Sequence, residues 1–139
     1  MPRMNYANET EAQDYAFPLG KSVVQVTDID SSKQSKAGDE RWWVQMTMHD
    51  GEFAGQTIYD GWTWQATGKG AGRMKLICKA FGFNADEEND YTPEAFAGRL
   101  VQIEAIEEEY EGKTRTKVAF AGYALVDGQP APGKAAAPF

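Results

Sequence analysis

The chain has one cysteine, Cys78, and one histidine, His49, and these two scarcities remove most metal and nucleophile chemistry. A lone thiol makes no intramolecular disulfide and fits a reducing compartment, so a cytoplasmic setting is expected. One Cys and one His cannot assemble a zinc site of Cys and His ligands within the chain. No Ser-His-Asp or Cys-His arrangement has a recognisable setting, and His49 closes an apparent strand just before a turn, where a surface histidine is the ordinary case. The expectation is therefore a non-enzyme with no catalytic residue, metal or cofactor. Long hydrophobic runs are also missing. No run of roughly 18 apolar residues is present to cross a bilayer, so no membrane association is expected. The opening residues 1–17 lack the apolar segment of a secretory signal.

Positive charge is scarce overall, with a net charge of −7, which at first disfavours a phosphate-rich partner. The distribution matters more than the total. Between Asp86 and Glu111 ten acids stand against one base, Arg99, so that stretch carries −9; the rest, with 13 bases and 11 acids, carries +2. A local surface of positive sign is therefore compatible with an acidic chain.

At 139 residues the chain suits one domain with a loose end at each terminus. Residues 1–17 are polar and aperiodic, a flexible N-terminal arm; residues 18–126 carry the patterned domain; residues 127–139 form a Pro-, Ala- and Gly-rich tail expected to be disordered. The first strand spans Lys21 to Ile29, β-branched after Gly20. Residues 30–41 read as a long, mobile polar loop. In Trp42 to His49, period-two alternation places Trp42, Val44, Met46 and Met48 on one face and Trp43, Gln45, Thr47 and His49 on the other. A third strand runs from Gln56 to Trp64, with a bulge permitted at Gly61. Met74, Ile77, Cys78 and Phe81 fall at helical spacing, predicting a helix over about 71–81 that ends at Gly82. The segment Gly68 to Gly72 before it reads as a flexible joint. Thr92-Pro93-Glu94 starts a short helix ending near Gly98, and strands follow over 99–106 and 114–125.

This order, β-β-β-α-β-β with the helix between strands three and four, predicts a mainly β fold. It suits a five-stranded OB-fold barrel, although other small α+β folds share the string. An OB-fold binds oligonucleotides or oligosaccharides on strands two and three and on the loops joining strands one–two and four–five. Those places hold Lys33, Lys36 and Arg41 in the first loop, and Trp43, Tyr59, Trp62 and Trp64 on the sheet. The second loop and its following strand hold Tyr110, Lys113, Arg115 and Lys117. Aromatic faces that stack on bases, flanked by cations along the backbone, are what a single strand needs. Trp42 belongs to the core by its face, whereas Trp43 lies on the polar face. Trp62 and Trp64 share one face and Tyr59 takes the other, so at least one of these sets should reach solvent. The run Glu107-Glu108-Glu109 alternates along a strand and reads as a solvated cluster, not as a metal site.

Further elements carry a family resemblance. They are the loop Ser31 to Lys36, the strand Trp42 to Met48, Asp50-Gly-Glu-Phe-Ala-Gly55 with Ile58-Tyr59-Asp60, Cys78-Lys-Ala-Phe-Gly82, Phe96-Ala-Gly-Arg-Leu-Val101 and Glu109-Tyr-Glu-Gly-Lys113. In their order, over residues 19–125, the chain resembles phage-encoded OB-fold single-stranded-DNA-binding proteins, catalogued largely as a domain of unknown function. The resemblance implies DNA binding with little sequence preference, in phage DNA replication or DNA recombination within the host bacterial cytoplasm. The glycines of 68–72 and the acidity of 86–111 depart from what it leads one to expect. The final Pro138-Phe139 resembles the tip by which bacterial single-strand-binding proteins recruit partners, which would make the tail a contact for replication or recombination proteins. Here Gly133 to Ala137 replaces the acids that normally precede that tip. The alternative is an OB adaptor that recruits such an enzyme through its acidic surface. An edge strand or the N-terminal arm offers a route to a homodimer.

Overall fold

In the computed structural model, which describes residues 1–8 and 17–126, the alternation of Trp42 to Met48 is realised as a strand. The strands are β1 (Gly20–Gln34), β2 (Glu40–Met48), β3 (Thr57–Thr63), β4 (Leu100–Tyr110) and β5 (Lys113–Ala124), with helices α1 (Gly68–Ala80) and α2 (Pro93–Phe96) between β3 and β4. Residues 9–16 of the expected arm, and the tail with its Pro138-Phe139 tip, lie outside the described residues. All strand pairs are antiparallel, in the order β3-β2-β1-β4-β5.

β1 is the hinge of this sheet. Its first part, Gly20 to Gln25, pairs with β4, while Val24 to Gln34 pairs with β2, so only Val24 and Gln25 are shared by both ladders. Register shifts after Val26 and after Asp30 bend the strand at the crossover, as an extra residue in an antiparallel ladder does. Thr27, skipped by the ladder, hydrogen-bonds instead to the Gln45 carbonyl at 3.3 Å and shares a 2.9 Å hydroxyl pair with Thr47. The bend curls the sheet until its edge strands β3 and β5 approach each other. They share no backbone ladder among the described residues, so the expected barrel is an open, curled five-stranded sheet. α1 packs against both edges.

Three local expectations are corrected. The long mobile loop of residues 30–41 is largely strand: β1 continues to Gln34, with Lys33 opposite Arg41 and Gln34 opposite Glu40. The ladder extends because polar Ser and Lys side chains are tolerated on a hairpin facing water, and Gly38, at φ 88°, closes a short turn. Gly61 makes no bulge, since β2 and β3 pair without a register shift from Arg41↔Thr63 to Thr47↔Thr57. Gly68 to Gly72 is no joint but the opening of α1. The helix end agrees with expectation: Gly82 takes φ 92°, its N–H donates to the Lys79 carbonyl at 2.9 Å, and that of Phe83 donates to Cys78 at 3.1 Å. These two hydrogen bonds satisfy carbonyls in the last turn of the helix.

The core is aromatic at its centre. Trp42, Trp62, Phe81 and Phe96 are fully buried beside Val24, Val26, Val44 and Met46. Phe96, on the short α2, meets Trp42, Trp62 and Phe81 at centroid distances of 5.7, 5.2 and 5.1 Å. It is held there by backbone bonds from Gly98 to the Val26 carbonyl and from Val26 to that of Arg99. Burial of such rings is the largest source of cohesion in a domain of this size. No helix among the described residues is long and apolar enough to cross a membrane.

Candidate functional site

Where β3 and β5 fail to pair, an open cleft of about 1140 Å³ remains. β2 and β3 present to it the face opposite the core: Arg41, Trp43, Tyr59, Gly61 and Thr63. The tip of the β1–β2 hairpin adds Lys36, β5 adds Arg115, Lys117 and Phe120, and α1 adds Arg73. Six of the eleven residues expected from sequence thus converge: Lys36, Arg41, Trp43, Tyr59, Arg115 and Lys117.

The aromatic pair follows from register. Trp43 lies opposite Gly61 and Gln45 opposite Tyr59, which makes Trp43 and Tyr59 diagonal neighbours on one face. Their rings are nearly parallel, 10° apart with centroids 5.8 Å apart. They are 44% and 46% exposed, so the stacked pair leaves aromatic surface open to solvent. Glycine opposite Trp43 has a second effect. The guanidinium of Arg41 folds over Gly61 so closely that a Cβ there would collide with it, and its Nη1 donates to Thr63 Oγ1 at 2.5 Å. Arg41 is thereby fixed beside the aromatic surface.

On the β5 side, Arg115 and Lys117 are paired to one carboxylate. Glu108 Oε2 accepts from Arg115 Nε at 2.8 Å and Nη2 at 2.7 Å, while Oε1 accepts from Lys117 Nζ at 2.8 Å. Lys117 and Arg115 hold the Glu108 carboxyl below the usual carboxylate range. The Arg115 guanidinium also lies over the Tyr110 ring, 4.6 Å from its centroid.

The inner wall of the cleft is a hydrogen-bonded clasp that takes the place of a β3–β5 ladder. Arg73 of α1 donates to Asp60 Oδ2 at 2.5 Å, to the Gly61 carbonyl at 3.1 Å and to the Phe120 carbonyl of β5 at 2.8 Å. Tyr123 of β5 donates to the same Asp60 oxygen and accepts from Trp62 Nε1 at 3.0 Å. Burial raises the Asp60 carboxyl pKa despite the opposing pull of Arg73. Burial, and then the Asp60 charge, push the Tyr123 phenol well above its usual range.

Five expected residues lie elsewhere. Trp62 is fully buried and belongs to the core, because it pairs directly with Trp42 and so shares its inward face. Trp64 is partly buried at the end of the same face, stacked on Tyr91 at 5.1 Å and edge-on to Trp42 at 4.8 Å. Neither lines the cleft. Lys33, Tyr110 and Lys113 are exposed near the two hairpin ends without lining it. His49 is exposed, as expected.

Phe120 and Arg73 went unrecognised in sequence. β5 inserts extra residues between Val118 and Tyr123, which pair with Ala105 and Ile103. This irregularity turns Phe120 outward, where it is 58% exposed beneath the Arg73 guanidinium, 5.5 Å from the ring centroid. The small residues of Ala119-Phe120-Ala121-Gly122 were the only local signal. Among the described residues, no three His, Cys, Asp or Glu side chains gather as a metal site requires. Compared with known proteins, the chain matches no family model and no curated protein sequence.

Proposed function

We propose that the protein is an OB-fold module that binds single-stranded DNA in this cleft, with little base preference, in the manner of the phage-encoded binding proteins it resembles. The observation that carries the reading is the exposed, parallel Trp43–Tyr59 pair flanked by cations from separate elements, Lys36 and Arg41 on one part and Arg115 and Lys117 on the other. Every base has a flat face that an aromatic surface can accept, at about 1–3 kcal/mol per stacked base, and cations alongside track the phosphates. Duplex DNA keeps its faces stacked inside and gains little from such a surface. The strand order supports the OB assignment: β1 pairs with β2 and β4, β2 with β3, β4 with β5, and α1 spans the β3–β5 gap, which is the circuit of an OB barrel short of its final ladder. The net charge of −7 is no obstacle, because of the described acids only Asp60 and Glu107 line the cleft, against Lys36, Arg41, Arg73, Arg115 and Lys117.

The test is a tryptophan-fluorescence titration with a dT oligonucleotide of about 30 nucleotides, longer than the site of one OB fold, at low and high salt, beside a duplex of equal length. The expected result is quenching by the single strand, weakened by salt with a log–log slope of about −0.7 per phosphate contacted, and little response to duplex. No response at low salt overturns the DNA-binding reading and favours a protein-binding adaptor.

A further inference from the structure

We propose that Glu108 is a resident substitute for a phosphate of the bound strand, and that binding proceeds by exchange of Glu108 for that phosphate on Arg115 and Lys117. The inference rests on the single-strand reading of the cleft and goes beyond it by assigning one phosphate position and a residue that tempers affinity.

The geometry is that of an oxyanion site already filled. Two guanidinium nitrogens of Arg115 converge on one oxygen, at 2.8 and 2.7 Å, and the Lys117 ammonium takes the other at 2.8 Å. A forked guanidinium edge with an added ammonium is the donor set that also suits a phosphate. The three residues come together through the ladder: Glu108 lies opposite Arg115, and Lys117 is two residues further along the same face of β5. Both cations line the cleft whereas Glu108 does not, so a ligand in the cleft meets the cations and competes with the carboxylate for them. The two cations lower the pKa of its carboxyl, so Glu108 is ionised at neutral pH and competes as a full charge. Tyr110 makes exchange feasible. Its ring supports the Arg115 guanidinium at 4.6 Å, so the arginine keeps a partner through cation–π attraction when the carboxylate is displaced.

Such an arrangement sets affinity by competition. The cations are held in place without a ligand, yet each phosphate gained costs an internal ion pair. A single strand is therefore held less tightly than the cleft's cations alone would hold it, which favours release and redistribution along the strand.

Glu108→Gln tests this, because glutamine keeps the length and an acceptor but removes the competing charge. The expected outcome is several-fold tighter binding of the dT oligonucleotide, with the salt slope steeper by up to about 0.7 because no displaced carboxylate takes counterions back up. In an Arg115→Gln/Lys117→Gln background the same substitution is expected to change affinity little. Binding by Glu108→Gln that is unchanged or weaker, with an unchanged slope, overturns the proposal and leaves Glu108 as a strut for the hairpin. Tightening of equal size without Arg115 and Lys117 also overturns it, since it would then reflect general charge. A wild-type chain that ignores the oligonucleotide overturns both readings, whereas wild-type binding without a Glu108 effect overturns only this one.

Discussion

Trp43 and Trp42 are adjacent in sequence and have opposite fates, one stacked on Tyr59 in solvent and the other sealed in the core. The pleat alone separates them, since successive side chains of a strand point to opposite faces. Because Trp42 and Trp62 are buried and Trp64 is partly so, Trp43 should report most of any fluorescence change. Trp43→Ala is expected to abolish most of the quenching by dT and to cost about 1–3 kcal/mol of binding, measured by fluorescence anisotropy of a labelled oligonucleotide, with the unfolding midpoint nearly unchanged. Gly61 was legible as a special position but for the wrong reason. It yields room for Arg41 and no bulge. Gly61→Ala should displace only the flexible end of Arg41, so stability should shift by about 0.5 kcal/mol or less. DNA affinity should fall several-fold, and the salt slope should become shallower by about 0.7.

At the scale of elements, helices and strand cores were read from periodicity, while strand ends and irregularities were not. The β1–β2 hairpin is an example: its polar residues resemble a loop, and only cross-strand bonds to Arg41 and Glu40 make Lys33 and Gln34 strand. The irregular part of β5 is another. Gly122 sits where an added Cβ would stand 2.9 Å from Ala119 Cβ and 3.0 Å from the Glu104 carbonyl oxygen. A backbone oxygen cannot yield as a side-chain tip does. Gly122→Ala is therefore expected to push β5 from β4 at a cost of about 1–3 kcal/mol, typical of overpacking. Urea unfolding measures that cost, and loss of affinity beyond it would show that Phe120 had moved.

For the whole molecule the decisive feature is how the curled sheet is held together where it does not pair. Arg73, Asp60 and Tyr123 join α1, β3 and β5, and the Arg73 and Asp60 side chains are only 12% and 14% exposed. Asp60→Ala leaves a buried guanidinium without its counter-charge and is expected to cost about 3–5 kcal/mol, read from urea unfolding. Acid acts on two kinds of carboxyl in opposite directions. Glu108, Asp86 and Asp30 have folded pKa values below their unfolded ones; their contribution is present above the unfolded value of about 4 and is lost as pH falls through the folded value. Asp60 is raised, so its preference for the folded state is fully present below the unfolded value and declines as pH rises through the folded one. Acidification below about pH 4 is thus expected to loosen the β4–β5 hairpin before the clasp. Hydrogen exchange at Glu108 and Arg115, compared with Trp62 and Tyr123, would show that order, and simultaneous opening would contradict it.

The sequence by itself determined what depends on neighbours along the chain. Element order, the inward face of β2, the stripe of α1 with its glycine stop, and Trp43 as the outward tryptophan all follow from pleat, helical period and turn chemistry acting over a few residues. It also placed Lys36, Arg41, Tyr59, Arg115 and Lys117 near one site once strands two and three and the two hairpins were treated as a single surface. The tertiary structure alone decided the rest. Trp62 is core because its register sets it against Trp42; Phe120 is exposed because β5 departs from alternation; and the sheet stays open at β3 and β5 with a side-chain clasp instead of a ladder. Each of these depends on contacts between residues far apart in sequence, such as Asp60 with Tyr123, and no local period encodes which distant partner a side chain will meet.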